Sequence, residues 1–246
     1  MGYKIYMQTH GNRIQRAPAR GTPTERQDKM TELAGYPNDR LTPENTAILL
    51  VDHQSGLILG VQDHDQLEVR RNAQALAKIG KVFDVPVVAT TSAPTGPNGP
   101  LIPELTRELG DETPIIHRTG EVDAWDDPAF EEAVKATGKK NLVIAGVITD
   151  VCLMFASLSA RARGYNVHAI VDASGTTNKL ARETSLLRLQ QAGVTLNSTV
   201  GVISELLRDW KNPGGAGTAE TFAELAMPFY GAVIESHTAA SGGEEK

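Results

Sequence analysis

A three-layer α/β fold, with a six-stranded, mostly parallel sheet covered by helices on both faces, is what this sequence predicts. Three observations carry it. From Thr46 onward, short β-branched runs alternate with stretches of helical periodicity, the rhythm of βαβ units. One of the runs, LVIAGV, is apolar throughout, as a strand buried on both faces must be. And 246 residues with 40% hydrophobic content can bury one full core.

The elements follow in order. Thr46–Val51 is strand one, and Asp52 stands at its C-terminal end. Gln66–Phe83 is an amphipathic helix with Leu67, Val69, Ala73, Leu76, Ala77 and Ile79 on its inner face. Val85–Thr90 is strand two. Thr91–Pro100 (TSAPTGPNGP) is too rich in Pro and Gly for regular structure and lies where α/β proteins place ligand loops. Pro114–His117 is a short third strand, Pro128–Lys135 a helix, and Leu142–Val147 a fourth, central strand. Leu153–Arg163 is a helix stopped by Gly164; Val167–Val171 is strand five, Leu180–Gln191 a helix, Val194–Ser198 strand six and Gly201–Trp210 a last helix.

Three regions result. Residues 1–40 hold seven basic and four acidic residues, a net +3 against −9 over the rest of the chain, and show no periodicity, so they read as an N-terminal arm that is flexible or packs on a neighbouring subunit. Met30 offers an alternative start. Residues 41–212 form the body. After the linker-like NPGGAG at 212–217, residues 213–246 form a tail whose Phe222, Leu225, Met227, Phe229 and Tyr230 are too apolar for a free end, and it is expected to dock on another subunit or on the core.

Composition excludes several function classes. One cysteine rules out an intramolecular disulfide and a cysteine-cluster metal site, which points to the cytoplasm. No apolar run approaches membrane-spanning length, and the first thirty residues lack the apolar stretch of a signal peptide, so no membrane contact is expected. Tyr6 stands where N-myristoylation needs Ser or Thr. A net charge of −6 argues against a nucleic-acid groove. No phosphate-binding GxxxxGK and no strand-linked GxGxxG occurs, so a Rossmann-like sheet here does not imply a nucleotide.

The chemistry lies in one convergence. In an open parallel sheet, ligands bind beyond the carboxyl ends of the strands, where the strand order reverses. Asp52 follows strand one, Arg118 follows strand three, and Cys152, the lone thiol, follows strand four at a helix entrance. A helix N-terminus supplies partial positive charge and free N–H groups for a thiolate and for a developing oxyanion. Taken singly, Asp52 reads as a turn cap, Arg118 as a surface ion-pair partner and Cys152 as a small buried hydrophobe. All three at one sheet edge read as a site.

The segments VDHQ (Val51–Gln54), HRTG (His117–Gly120) and GVITDVC (Gly146–Cys152) resemble the isochorismatase-like cysteine hydrolases over about Thr42–Trp210. TSAPTGPNGP, the Asp123–Lys140 segment, DASGTTN (Asp172–Asn178) and RDW (Arg208–Trp210) are similar to the YcaC-type branch. The resemblance implies a six-stranded parallel sheet and an Asp–Lys–Cys triad, carried here by Asp52, Arg118 and Cys152. Arg118 replaces the lysine of most of the superfamily, as it does in this branch, and a permanently protonated guanidinium cannot shuttle a proton. The resemblance also implies an oxyanion hole from the backbone N–H groups of Ile148 and Cys152, and a non-proline cis peptide at Val147–Ile148.

His53, Gln54, Trp125 and Thr149 are the substrate-lining candidates, Trp125 alternatively serving in the core or at an interface. Related nicotinamidases hold a metal with histidines in the loop after strand two. Thr91–Pro100 has none, and the cluster His53, Asp63, His64 and Asp65 has the spacing of no known site, so neither metal nor cofactor is expected. The function that follows is hydrolysis of a C–N bond in a small amide or carbamoyl compound through a Cys152 thioester. The alternatives are a non-catalytic oligomer whose exposed, low-pKa Cys152 senses oxidants, and a vinyl-ether hydrolase that needs no nucleophile. The branch resemblance implies a ring-like homo-oligomer such as an octamer.

Overall fold

The computed structural model describes residues 40–240. Residues 1–39, which carry the expected arm and Met30, lie outside them.

Six strands form one sheet: β1 (Thr46–Val51), β2 (Val87–Ser92), β3 (Ile115–Arg118), β4 (Asn141–Gly146), β5 (Asn166–Ile170) and β6 (Thr195–Asn197). Their order is β3-β2-β1-β4-β5-β6, and every pair is parallel. The order reverses between β1 and β4, which run in register from Thr46 opposite Asn141 to Val51 opposite Gly146.

Alternation along the strands feeds two cores. On one face Ile48, Leu50, Val143, Ala145 and Ile170 pack against α1 (Ser55–Leu59), α2 (Gln66–Val82), α3 (Pro103–Leu109) and α7 (Thr199–Leu207). On the other, Ala47, Leu49, Leu142, Ile144, Val167 and Ala169 pack against α4 (Pro128–Ala136), α5 (Met154–Ala162) and α6 (Lys179–Gln191). Side-chain caps set the helix starts: Asp65 accepts from the Leu67 amide, Asp127 from Ala129 and Phe130 ahead of Pro128, Asn178 from Ala181, and Ser198 from Gly201.

The strands after β1 depart from expectation by one or two residues. β2 begins at Val87 rather than Val85, because Val85 and Pro86 form the turn that leaves α2, where the Pro86 carbonyl accepts the Ile48 amide. The short α1 and α3 and a 3₁₀ turn at Ala124–Asp126 carry too few residues to show periodicity in the sequence.

The segment after Trp210 is more ordered than its composition suggests. Residues 212–217 lead directly into α8 (Gly215–Thr221), and a Cβ at Gly215 would lie 2.2 Å from the Trp210 carbonyl oxygen, so glycine is required by close packing there. A π-helical turn, Phe222–Ala226, buries Phe222 in the first core, and Lys78 of α2 pairs with Glu220 and Glu224 at 2.7 Å each. Trp210 stacks on Tyr230, with centroids 5.8 Å apart. This part of the tail docks on the core. The last helix, α9 (Pro228–Ala240), buries none of its residues and exposes Phe229, Val233 and Ile234.

Candidate active site

The site forms at the carboxyl edge of β1, β2, β3 and β4. Asp52 leaves β1 with a positive φ of 58°, a conformation that Asp tolerates better than most residues, and its amide donates to the Thr90 carbonyl at 3.0 Å. The turn folds the carboxylate inward, where it is 1% exposed.

Arg118 ends β3, level with Ser92 of β2, and is equally buried at 1%. A buried guanidinium must place every donor, and each nitrogen has a partner here. Nη2 donates to both Asp52 oxygens at 2.5 Å, Nε donates to Thr90 Oγ1 at 3.1 Å, and Nη1 donates to the Glu121 carbonyl. Thr90 in turn donates its hydroxyl to the Ile116 carbonyl, so its lone pair faces the arginine. The Glu121 carboxylate accepts from the Thr119 amide, the Thr119 hydroxyl and the Gly120 amide, which folds the loop so that its own carbonyl reaches Arg118. Its own backbone amide, the Thr119 hydroxyl and the Gly120 amide hold that carboxyl down to about 2.

Cys152 sits in a π-helical turn, Thr149–Leu153, between β4 and α5. The Val147–Ile148 peptide is cis. The turn lies so close over the end of β4 that a Cβ on Gly146 would stand 2.9 Å from the Leu153 nitrogen and 3.2 Å from the Cys152 carbonyl carbon. Cys152 is 8% exposed, and its thiol lies near enough to the Asp52 carboxylate for each to shift the other's protonation.

The electrostatics of the pair are set mainly by burial. Burial first, and then the Asp52 carboxylate, push the Cys152 thiol well above its ordinary value, against the smaller pull of the Ile148 backbone hydrogen bond and Arg118. Burial and the neighbouring carboxylate therefore favour a neutral resting thiol. Burial also raises Asp52, while Arg118 pulls it down. The net direction is upward, which strengthens the carboxylate as a base.

The other expected lining residues have different partners. His53 is fully buried, its Nε2 lies 2.8 Å from the Ala173 carbonyl oxygen, and burial lowers its pKa to about 4, so it is neutral at ordinary pH. Gln54 is a clamp on the loop after β2: its Oε1 accepts the Ser92 amide, and its Nε2 donates to the carbonyls of Ser92 and Gly99. Trp125 is a core residue, with Nε1 donating to the Ala156 carbonyl at 2.9 Å and its ring edge-on to Phe130. Thr149 is buried, with its amide on the Gly175 carbonyl. Among the described residues no group of three or more His, Cys, Asp and Glu is arranged to hold a metal ion. His53 and Asp63 are committed to separate backbone groups.

Sequence reasoning missed Thr90 and Glu121. A polar residue closing the apolar run VPVVAT was the available signal for Thr90. A backbone carbonyl, the contribution of Glu121 to Arg118, leaves none.

Fold and site together define a three-layer α/β protein with a thiol, a carboxylate and a guanidinium gathered at the switch point of its sheet. The isochorismatase domain model matches residues 46–200, and the chain belongs to that family, as a hydrolase of the YcaC branch. The probable hydrolase YcaC of Escherichia coli is 49% identical over 176 residues, covering 72% of this chain and 84% of the relative. Its crystal structure, described as an octameric hydrolase of unknown specificity, superposes with a TM-score of 0.80 at 44% identity, covering 84% of this chain and all of that one. YcaC of Pseudomonas aeruginosa, solved with hexane-2,5-diol and covalent acrylamide, gives a TM-score of 0.78 at 42% identity, covering 82% and 99%. Isochorismatase domain-containing protein 2 of Rattus norvegicus is 30% identical over 174 residues, 71% of this chain and 79% of the relative.

Proposed function

We propose that this hydrolase cleaves the C–N bond of a small amide or carbamoyl compound through a Cys152 thioester, without a cofactor. The observation that carries the reading is the shared position of the Asp52 carboxylate, ion-paired with Arg118 Nη2 and near enough to the Cys152 thiol for the two to shift each other's protonation. As the sulfur attacks the carbonyl carbon, the thiol proton passes to Asp52, and the carbonyl electrons move to oxygen opposite the N–H groups of Ile148 and Cys152. The tetrahedral species collapses, the C–N bond breaks, and the amine leaves with the proton from Asp52. Water then gives a proton to the same carboxylate, its oxygen attacks the thioester, and the acid departs as the sulfur regains its proton. Arg118 holds Asp52 throughout as a fixed cation.

A raised thiol suits this sequence, because the nucleophile is made only when the base is in line. It does not suit the redox-sensing alternative, which asks for an exposed thiol of low pKa. Small amides are the class to screen first, as the simplest compounds with an acyl C–N bond to break. A panel of them is expected to yield ammonia or amine and a trapped acyl mass on the wild type, and neither product with Cys152→Ala. Turnover retained by Cys152→Ala would overturn the nucleophile assignment.

The E. coli relative is an octamer, and the uncovered apolar face of α9 suits a homo-oligomer here too. Light scattering is expected to give a multiple of the 26.4 kDa chain; a monomer mass would count against it. No helix among the described residues is long and apolar enough to cross a membrane. A free nucleophilic thiol fits a reducing compartment such as the cytoplasm.

A further inference from the structure

Asp63, in the segment between α1 and α2, has a fully buried carboxylate that plays no part in the ion pair at the sheet edge. Its Oδ1 accepts the Thr176 amide at 2.8 Å, and the Thr176 carbonyl accepts the amides of Gln62 and Asp63 at 2.8 and 3.2 Å. Its Oδ2 makes no hydrogen bond and lies 3.2 Å from His64 Nδ1 and 3.8 Å from Arg182 Nε. The segment it grips, Ser174–Thr176, braces the turn that carries Cys152. Ser174 Oγ accepts the Gly146 amide at 3.0 Å, Gly175 bridges Val147, the Gly175 carbonyl accepts the Thr149 amide at 2.9 Å, and Thr176 Oγ1 donates to Asp150 Oδ1 at 2.5 Å. The 61–63 segment also presses directly on this brace, since a Cβ on Gly175 would stand 2.7 Å from Val61 Cγ1.

From this continuous chain of contacts we infer that Asp63 is a positioning residue for the oxyanion-binding turn, holding Ile148 and Cys152 in place through Thr176 and Gly175. The inference rests on the proposed thioester chemistry and extends it to a residue remote from the reacting atoms. A buried carboxylate is costly unless its partners need it, and a charged acceptor gives the Thr176 amide a stronger bond than a neutral one would. Small displacements of a donor that meets only the developing oxyanion are felt in acyl transfer, but not in reactions that form no oxyanion.

That contrast supplies the test. Cys152 is the sole cysteine, so the intact-mass shift that is absent from Cys152→Ala reports its modification. Acetylation by p-nitrophenyl acetate passes through an oxyanion, whereas alkylation by iodoacetamide does not. In Asp63→Ala, acetylation is expected to fall roughly 10- to 100-fold while alkylation stays within about threefold of wild type. Asp63→Asn, which keeps Oδ1 as an acceptor, is expected to restore most of the loss. Thr176→Val, which leaves Asp63 intact and cuts the link to Asp150, is expected to show the same selective loss, and it decides the matter if Asp63→Ala does not fold. Equal losses in both reactions, or no loss in either, would overturn the role of Asp63. Acetylation of Cys152→Ala at the wild-type rate would instead overturn the thioester reading beneath it, whatever the Asp63 variants do.

Discussion

Replacing Asp52 by asparagine is expected to abolish measurable hydrolysis and to destabilise the protein at the same time. The activity loss follows from the proton path: a neutral carboxamide in place of the carboxylate offers the Cys152 thiol no base, and positioned general bases contribute roughly 10²–10⁴-fold. The stability loss follows from Arg118. Its side chain is fully buried and its Nη2 is neutralised by Asp52, so Asp52→Asn strands a cation in the core. Breaking one side of a buried pair costs about 3–5 kcal/mol. In a domain of this size that lowers the melting temperature on the order of 10 °C. Removing both charges together, as in Asp52→Asn with Arg118→Met, is expected to recover much of the melting temperature and none of the turnover, because asparagine tolerates the positive φ at this position and no charge is left behind in the core. Calorimetry and an amide-hydrolysis assay on the three proteins separate the effects. An Asp52→Asn protein that still turns over would sink the base assignment; one that melts like wild type would sink the ion pair.

The backbone plan of this site was legible because it follows from burial and from one topological rule. β1 matches its expected bounds, Thr46–Val51, since a β-branched run buried on both faces leaves no other solution. Asp52 and Cys152 lie at the ends of the two strands that flank the reversal of strand order, where such sheets place their chemistry. What the sequence did not disclose depends on backbone groups or on competition between effects. The Glu121 carbonyl that holds Arg118 and the Gly175 carbonyl that braces the turn are invisible to residue type. Gln54 has the residue type of a ligand contact, but its whole amide is spent on the loop from Ser92 to Gly99, and Trp125 is packed inside the second core. The direction of the thiol's shift is hidden for a different reason: the helix entrance is visible in the sequence, whereas the burial and the neighbouring carboxylate that raise the thiol are not.

Acid is expected to weaken the fold through two histidines rather than through its carboxylates. His53 and His168 are both pushed down to about 4 by burial, His53 against the modest opposing pull of the Ala173 carbonyl. His168 lies on β5, and neither ring nitrogen has a hydrogen-bond partner. In the unfolded chain each titrates near 6.5, so between about pH 6.5 and 4 the unfolded state binds protons that the folded state refuses. Stability therefore rises with pH across that window and is lost as pH falls through it. Between pH 7 and pH 5 the loss amounts to about 2 kcal/mol for each histidine, or about 4 kcal/mol together. The lowered carboxyls, Glu104, Glu121 and Glu131, titrate near 4.5 when unfolded, so their contribution is lost at lower pH. Asp52, being raised, acts in the opposite direction and offsets part of any acid loss. His168→Leu isolates one of the two histidines, since leucine fills the site without orphaned nitrogens and removes one titration. Urea unfolding at fixed protein concentration is expected to show about half the pH 7-to-5 loss in this variant, with higher stability at pH 5 than the wild type. Equal losses in the two proteins would mean that His168 is not held neutral in the folded state.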